Sequence, residues 1–228
     1  GYMPDKYNMH RLSSTREVIN REKQKKMPKK GVLFGGLEYD AEYSADSHAA
    51  DSQKKSRAVA DVAVYLPGTL EEVNGIGGML RKKKWEVTLL ADTLGTEDEF
   101  KRLSKHELGI LHIATHGFFS PQGTALSSSG LLMAGANNVL YGIDAPEGAD
   151  DGMLTANEIS ALDFRNVHFV VLSACESGTG VATSSGVFGL QSGFKQAGAR
   201  ALMMSLWKVD DEATQILMAQ FYKSLVSG

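Results

Sequence analysis

Two apolar runs constrain this chain more than anything else in it. Leu108-Gly109-Ile110-Leu111-His112-Ile113-Ala114-Thr115 ends in His116-Gly117, and Val167-His168-Phe169-Val170-Val171-Leu172-Ser173-Ala174 ends in Cys175-Glu176-Ser177-Gly178-Thr179-Gly180. Strands that are apolar at nearly every position, rather than at alternate ones, are covered on both faces, as in a parallel sheet. The segments around them have helical grammar. Pro67-Gly68-Thr69 with Glu71 and Glu72 reads as a helix start, Thr69 as N-cap and Glu72 at N3 of a capping box, running to about Lys84 with Leu70, Val73, Ile76 and Leu80 inward. Thr96 with Glu99 opens a second helix carrying Phe100 and Leu103, and Thr155 with Glu158 a third. Gly186 to Ala197 reads as a helix with Val187, Leu190 and Phe194 inward, and Asp210 to Leu225 as a final amphipathic helix.

Further strands are expected at Gly31–Leu37, Trp85–Leu90 and Arg200–Leu206, and a short pair at Leu131–Ala134 and Val139–Tyr141. Val59 to Leu66 reads as a strand or the end of a helix, and Asp40 to Arg57 as a long polar loop. Strands alternating with helices give an α/β fold with a mostly parallel sheet flanked by helices on both faces. Ligand sites in such sheets form beyond the carboxyl ends of the strands. His116, Cys175, and Trp207, Asp210 and Asp211 are all expected at that edge.

Composition narrows the function classes. The 228 residues suffice for a sizeable core, with 43% hydrophobic and 22% charged residues, ordinary for a globular protein. A net charge of −3 creates no field favouring nucleic acid. The basic stretch Arg21 to Lys30 has no interleaved aromatics, so a solvated helix face and linker explains it better than a nucleic-acid patch. No apolar stretch approaches the roughly 18 residues of a membrane span. The single cysteine excludes an internal disulfide and suits a cytoplasmic protein, where such a residue is inert packing or a nucleophile. The first residues carry no signal pattern, and both ends read as cut from a longer chain.

A Cys and a His delivered by neighbouring strands make a nucleophile and base, because the thiolate is the reactive species and needs a proton acceptor. Attack on a peptide carbonyl develops an oxyanion. The amides of Gly117 and Cys175 are natural donors to it, Gly117 because glycine permits a sharp turn and a close approach. The bland alternative is a buried inert Cys and a loop His. The spacing His112-x-x-x-His116 invites a metal reading, but in a strand the two side chains stand about 13 Å apart and cannot share an ion. His112 is read instead as a satisfied core residue or one that supports the site from behind, and no metal or cofactor is implied. No G-x-S-x-G, phosphate loop or full G-x-G-x-x-G occurs. Asp210, Asp211 and Glu212 either complement a helix N-terminus or form an acidic pocket for a Lys or Arg side chain. Trp207 is core or the wall of a substrate groove. Lys54, Lys55 and Arg57 are either an ordinary solvated loop or sites of self-cleavage.

Taken together, five blocks in order resemble the CHAT family of caspase-like peptidases: residues 112–119 (HIATHGFF), 172–178 (LSACESG), 187–191 (VFGLQ), 197–199 (AGA) and 205–211 (SLWKVDD). Residues 151–156 (DGMLTA) are similar too. The resemblance implies a caspase-like three-layer sandwich, with residues 61–228 as the catalytic core and 1–60 as an N-terminal subdomain or linker. It implies a catalytic dyad on His116 and Cys175. It implies a protein substrate, cleaved after a basic residue held by Asp210 or Asp211, since basic-specific relatives carry acids after the last core strand. It further implies an upstream tetratricopeptide-repeat (TPR) sensor region or activating partner, and a role in bacterial signalling or defence. The chain departs from the family at Ser185, where a Glu often precedes the Gly. The competing reading is a caspase-like scaffold or binding module without turnover.

Overall fold

The computed structural model describes residues 26–42, 62–119, 124, 126–173, 184–204 and 211–226, without the side chains of 184–187 and 211–215. Strands β1 (Lys30–Leu37), β2 (Glu86–Asp92), β3 (Leu108–Ala114), β7 (Val167–Ser173) and β8 (Leu202–Met204) form one sheet in the order β2-β1-β3-β7-β8, every pair parallel. Between β3 and β7, the strands β4 (Gly117–Phe119), β5 (Ser129–Leu132) and β6 (Met153–Thr155) form a separate antiparallel sheet. The helices are α1 (Pro67–Lys82), α2 (Glu97–Arg102), α3 (Asn137–Leu140), α4 (Ala156–Ala161), α5 (Ser184–Gln196) and α6 (Asp211–Leu225).

The five-stranded sheet carries an apolar layer on each face, as its uninterrupted apolar strands require. On one face Leu33, Ile110, Ala114 and Val171 pack with Val73, Ile76 and Leu80 of α1 and Met218 and Tyr222 of α6. On the other, Val32, Phe34, Leu111, Ile113, Val170 and Leu172 pack with Phe100 of α2, Ile159 of α4, Leu190 and Phe194 of α5, and Leu131 and Leu132 of β5. Phe100 is the hub of that layer, with ring centroids 5.9 Å from Phe34, 5.6 Å from Phe164 and 6.3 Å from Phe194.

The chain enters this sheet in its interior. From β1 it steps outward to β2, then returns past β1 to β3 and continues through β7 to β8. The direction of winding therefore reverses between β1 and β3, and the crevice beyond their carboxyl ends is the place where such sheets bind ligands. His116 follows β3 there. The residue is also where the chain leaves one sheet for the other, since Gly117 starts β4 and Leu132 N–H donates to the His116 carbonyl at 2.9 Å. At the end of β1, a Cβ on Gly35 would lie 2.7 Å from the Thr69 carbonyl oxygen, so only glycine lets α1 approach this edge so closely.

Several sequence expectations are met closely. Thr96 Oγ1 accepts from Glu99 N–H at 3.2 Å, and Thr155 with Glu158 forms a full capping box. Two are corrected. Thr69 does not cap α1, whose N-cap is Leu66. The Thr69 hydroxyl instead donates to Leu66 O at 2.7 Å and accepts from Gly36 N–H at 2.8 Å, a tertiary bond to β1 that supplants the local one. The expected strand at Val139–Tyr141 is replaced by the short helix α3, because Asn137 and Asn138 spend their side chains on the main chain of remote segments. Residues 62–66 belong to neither helix nor strand.

Candidate active site

His116 is 4% exposed. Its Nε2 lies 2.7 Å from the carbonyl oxygen of Val64. A carbonyl only accepts, so Nε2 carries the hydrogen and Nδ1 is the basic nitrogen of the neutral ring. The Tyr39 ring packs against the imidazole with centroids 5.2 Å apart and planes tilted by 47°. Tyr39 is fixed in turn. Thr115 Oγ1 donates to Leu132 O at 2.5 Å, so the Tyr39 hydroxyl is the donor in its 2.9 Å contact with Thr115. Burial lowers the His116 pKa below its ordinary value, the Val64 carbonyl offsetting part of the effect. At neutral pH the ring is a neutral base of defined tautomer.

The neighbouring strand is β7, and its register with β3 pairs Ala114 with Ser173. His116 and Cys175 each lie two residues beyond that pair in sequence. Cys175, Trp207 and Asp210 fall outside the described residues, as do Lys54, Lys55 and Arg57, and Asp211 is described only as the first residue of α6. Gly117 is buried at the start of β4, beside His116.

His112 belongs to a different constellation, on the α1/α6 face. It is fully buried, with Nδ1 2.9 Å from the Tyr222 hydroxyl and Nε2 3.2 Å from Glu72 Oε1. The latter pair face each other without the alignment of a hydrogen bond, and neither atom has another hydrogen-bond partner among the described residues. The other Glu72 oxygen accepts from Ser173 Oγ at 3.0 Å. Burial first, and the Glu72 charge second, push the Tyr222 hydroxyl well above its ordinary pKa, so it remains a donor. The expectation of a satisfied core histidine captures His112's burial, but not its partners. Those come from α1 and α6, and Glu72 reads from sequence as a capping residue.

A third polar group escaped sequence reasoning. Ligand oxygens of Glu97, Asp150 and Glu158 lie within 4.8 Å of one another, a spacing that would suit a metal ion. Lys101 sits among them, its Nζ at 2.7, 2.6 and 2.9 Å from the three carboxylates. The ammonium thus supplies the positive charge, and the cluster ties α2 to α4 and to the loop before β6. Only Glu97 and Lys101, four apart on one helix, are visible as a pair in sequence. Burial pushes the Glu97 carboxyl up to about 7, against the Lys101 hydrogen bond. An acid that holds its proton longer in the fold than in the unfolded chain loses stability as pH rises between the two pKa values. The window here runs from about 4.5 to about 7. His116, with its lowered pKa, acts in the opposite direction, its contribution being lost as pH falls below its unfolded value of 6.5. Denaturant unfolding at pH 5 and pH 7 is therefore expected to show a smaller loss toward pH 7 in Glu97→Gln than in wild type. Parallel profiles would contradict this assignment.

A family model described as the CHAT domain matches residues 1–228. Tetratricopeptide repeat protein 28 of Mus musculus is 36% identical over 77 residues, and its Homo sapiens counterpart 34% over 76. Each match covers 33% of this chain and 3% of the relative, so the chain spans only a small part of those proteins. A flavodoxin from Streptococcus pneumonia TIGR4 superposes over 87% of this chain and 97% of its own, with 12% identity and a TM-score of 0.38, a likeness too loose to bear on function. No helix among the described residues is long and apolar enough to cross a membrane.

Proposed function

The chain belongs to the CHAT domain family, and on that premise we propose that it is a cysteine endopeptidase working through Cys175 and His116. The observation that carries this reading is the pairing of Ala114 with Ser173 at the ends of adjacent parallel strands, since the candidate base and nucleophile each follow that pair by two residues in sequence. The burial of His116 and its bond to Val64 O add a neutral base whose basic nitrogen is defined.

The reaction runs in two halves. Nδ1 of His116 takes the Cys175 proton, and the sulfur attacks the peptide carbonyl carbon. The amides of Gly117 and Cys175 stabilise the oxyanion. The C–N bond breaks as His116 returns the proton to the leaving amine, leaving a thioester that water cleaves with His116 again as base. Asp210 and Asp211 hold a Lys or Arg side chain before the scissile bond, and Trp207 lines the groove. The substrate is a specific protein. A helical-repeat sensor region or activating partner controls the enzyme, a reading supported by the tetratricopeptide repeats in the relatives' names. The setting is a larger signalling or defence protein in the cytoplasm, supported by the lone cysteine. Residues 61–228 carry the catalytic residues, and 1–60 are the leading subdomain or linker region, whose β1 joins the same sheet.

A peptide library read by mass spectrometry tests the activity and its specificity together. Cuts after Lys or Arg that vanish in Cys175→Ala are expected; cuts after other residues would keep the dyad and remove Asp210 and Asp211 from the pocket. A scaffold without turnover, the reading for which Ser185 leaves room, would give no cuts even with the upstream region restored. The acidic limb of kcat/KM is expected below pH 6.5, because burial lowers the pKa of the base. A limb at or above that pH would assign the base to another group.

A further inference from the structure

The bond that fixes the tautomer of His116 comes from a residue that does little to hold itself in place. Val64 is 70% exposed, so packing does not set the direction of its carbonyl. Val64 lies in a segment, residues 62–66, with no regular secondary structure. Downstream the segment is tied to the first turn of α1, where the Thr69 N–H donates to Leu66 O at 3.1 Å. Upstream, among the described residues, one side chain holds it. Asn137, 1% exposed, accepts from the Ala63 N–H at 2.8 Å and donates to the Ala63 carbonyl at 3.0 Å. Its carboxamide thus treats Ala63 as a neighbouring strand would, occupying both main-chain polar groups of the residue before Val64.

The orientation of that carboxamide follows from chemistry. The second Nδ2 hydrogen goes to Asp40 Oδ1 at 3.0 Å, an oxygen that also accepts from the Tyr141 hydroxyl at 3.0 Å. The Ala63 N–H only donates, so Oδ1 must face it. Asn137 is itself anchored, its own N–H donating to the Tyr39 carbonyl at 3.0 Å. Tyr39 is the residue whose ring packs on His116. The next residue, Asn138, donates to Ala41 O at 2.7 Å and Gly135 O at 2.9 Å. The two asparagines of α3 therefore hold both ends of the stretch between residues 42 and 62, but only Asn137 leads to the imidazole.

We propose that Asn137 is a positioning residue for the candidate base: by clamping Ala63 it aims the Val64 carbonyl at His116 Nε2–H, which keeps Nδ1 as the proton acceptor. The catalytic half of this proposal rests on the peptidase reading above; the positioning half stands on the structure alone. Groups that orient a metal-bound imidazole through its second nitrogen typically matter about 10–100-fold, and an effect of that size is expected here.

The test combines nitrogen NMR on histidine-labelled protein with steady-state kinetics. The His116 signals are assigned by their loss in His116→Gln. In wild type at pH about 7.5, Nε2 is expected to carry the hydrogen. In Asn137→Ala the Nδ1–H tautomer is expected to gain population, and kcat to fall about 10–100-fold with KM unchanged. Ala63→Pro removes the donor of one clamp bond while leaving Asn137 in place, and is expected to shift the tautomer in the same direction. It lies outside every helix and strand, which keeps the test open if Asn137→Ala does not fold. Asn138→Ala, which frees Ala41 O and Gly135 O but leaves both bonds to Ala63 in place, is expected to leave the tautomer unchanged. An unaltered His116 tautomer in folded Asn137→Ala or Ala63→Pro would overturn the proposal. A shifted tautomer in Asn137→Ala, where the wild type cleaves nothing even with the upstream region restored, would support the clamp and refute the peptidase reading; an unaltered tautomer in an active enzyme would do the reverse.

Discussion

Replacing Cys175 by Ala is expected to abolish peptide cleavage, and His116→Ala to lower kcat/KM at pH 7 by at least about 10³-fold. The two effects are not additive. Without the sulfur there is no acyl-enzyme, so the double variant should be no worse than Cys175→Ala alone. The geometry explains why His116 cannot be replaced cheaply. Its ring is shielded by Tyr39, its tautomer set by Val64 O, and its protonated form disfavoured by burial. An external imidazole would reproduce the base but not its orientation, so added imidazole should rescue His116→Ala only partly. Cleavage at the wild-type rate in either single variant would sink the mechanism.

The second large effect is on stability. His112→Leu is expected to destabilise the fold by about 3–5 kcal/mol, the range for removing one partner of a buried polar pair. The cost does not come from lost volume, which leucine roughly replaces. It comes from Glu72, whose carboxylate would stay buried with the Ser173 hydroxyl as its one remaining hydrogen-bond donor among the described contacts, and from Tyr222, whose hydroxyl would lose its acceptor. The triple variant Glu72→Leu, His112→Leu, Tyr222→Phe removes all three polar partners together and should recover much of the loss. Denaturant titration checks both. A loss under about 1 kcal/mol in His112→Leu would contradict the role of this network in holding the fold. The network couples α1, β3, β7 and α6, so its failure would loosen the strand that leads to Cys175.

The strands that position the candidate site were legible because their signal is local. Apolar residues at consecutive positions in 108–114 and 167–172 admit little besides buried parallel strands. The caps at Thr96 and Thr155 were legible for the same reason, the partner being three residues away. Misreadings arose where a side chain found a distant partner. Thr69 and Glu72 have the spacing of a capping box, but Thr69 bonds Gly36 across 33 residues, and Glu72 turns inward to His112 and Ser173. Asn137 and Asn138 signal a turn, and nothing local says that their carboxamides bond Ala63 and Ala41 across 74 and 97 residues. His116 stood out as a candidate because it ends a strand, whereas the residues that orient it, Tyr39 and Val64, carry no motif. The lysine-centred carboxylate cluster was illegible because Asp150 and Glu158 come from other parts of the chain than Glu97 and Lys101.

The most direct test of the dyad uses the fact that the chain has one cysteine. Alkylation of Cys175 by iodoacetamide, followed from pH 5 to pH 10, reports the thiolate without any substrate or activator. With neutral His116 as its proton acceptor, Cys175 is expected to alkylate below the ~8.5 of a free thiol faster than in His116→Ala, whose rate should simply follow that free-thiol value. An unperturbed profile in the wild type, unchanged by His116→Ala, would contradict the dyad and with it the peptidase.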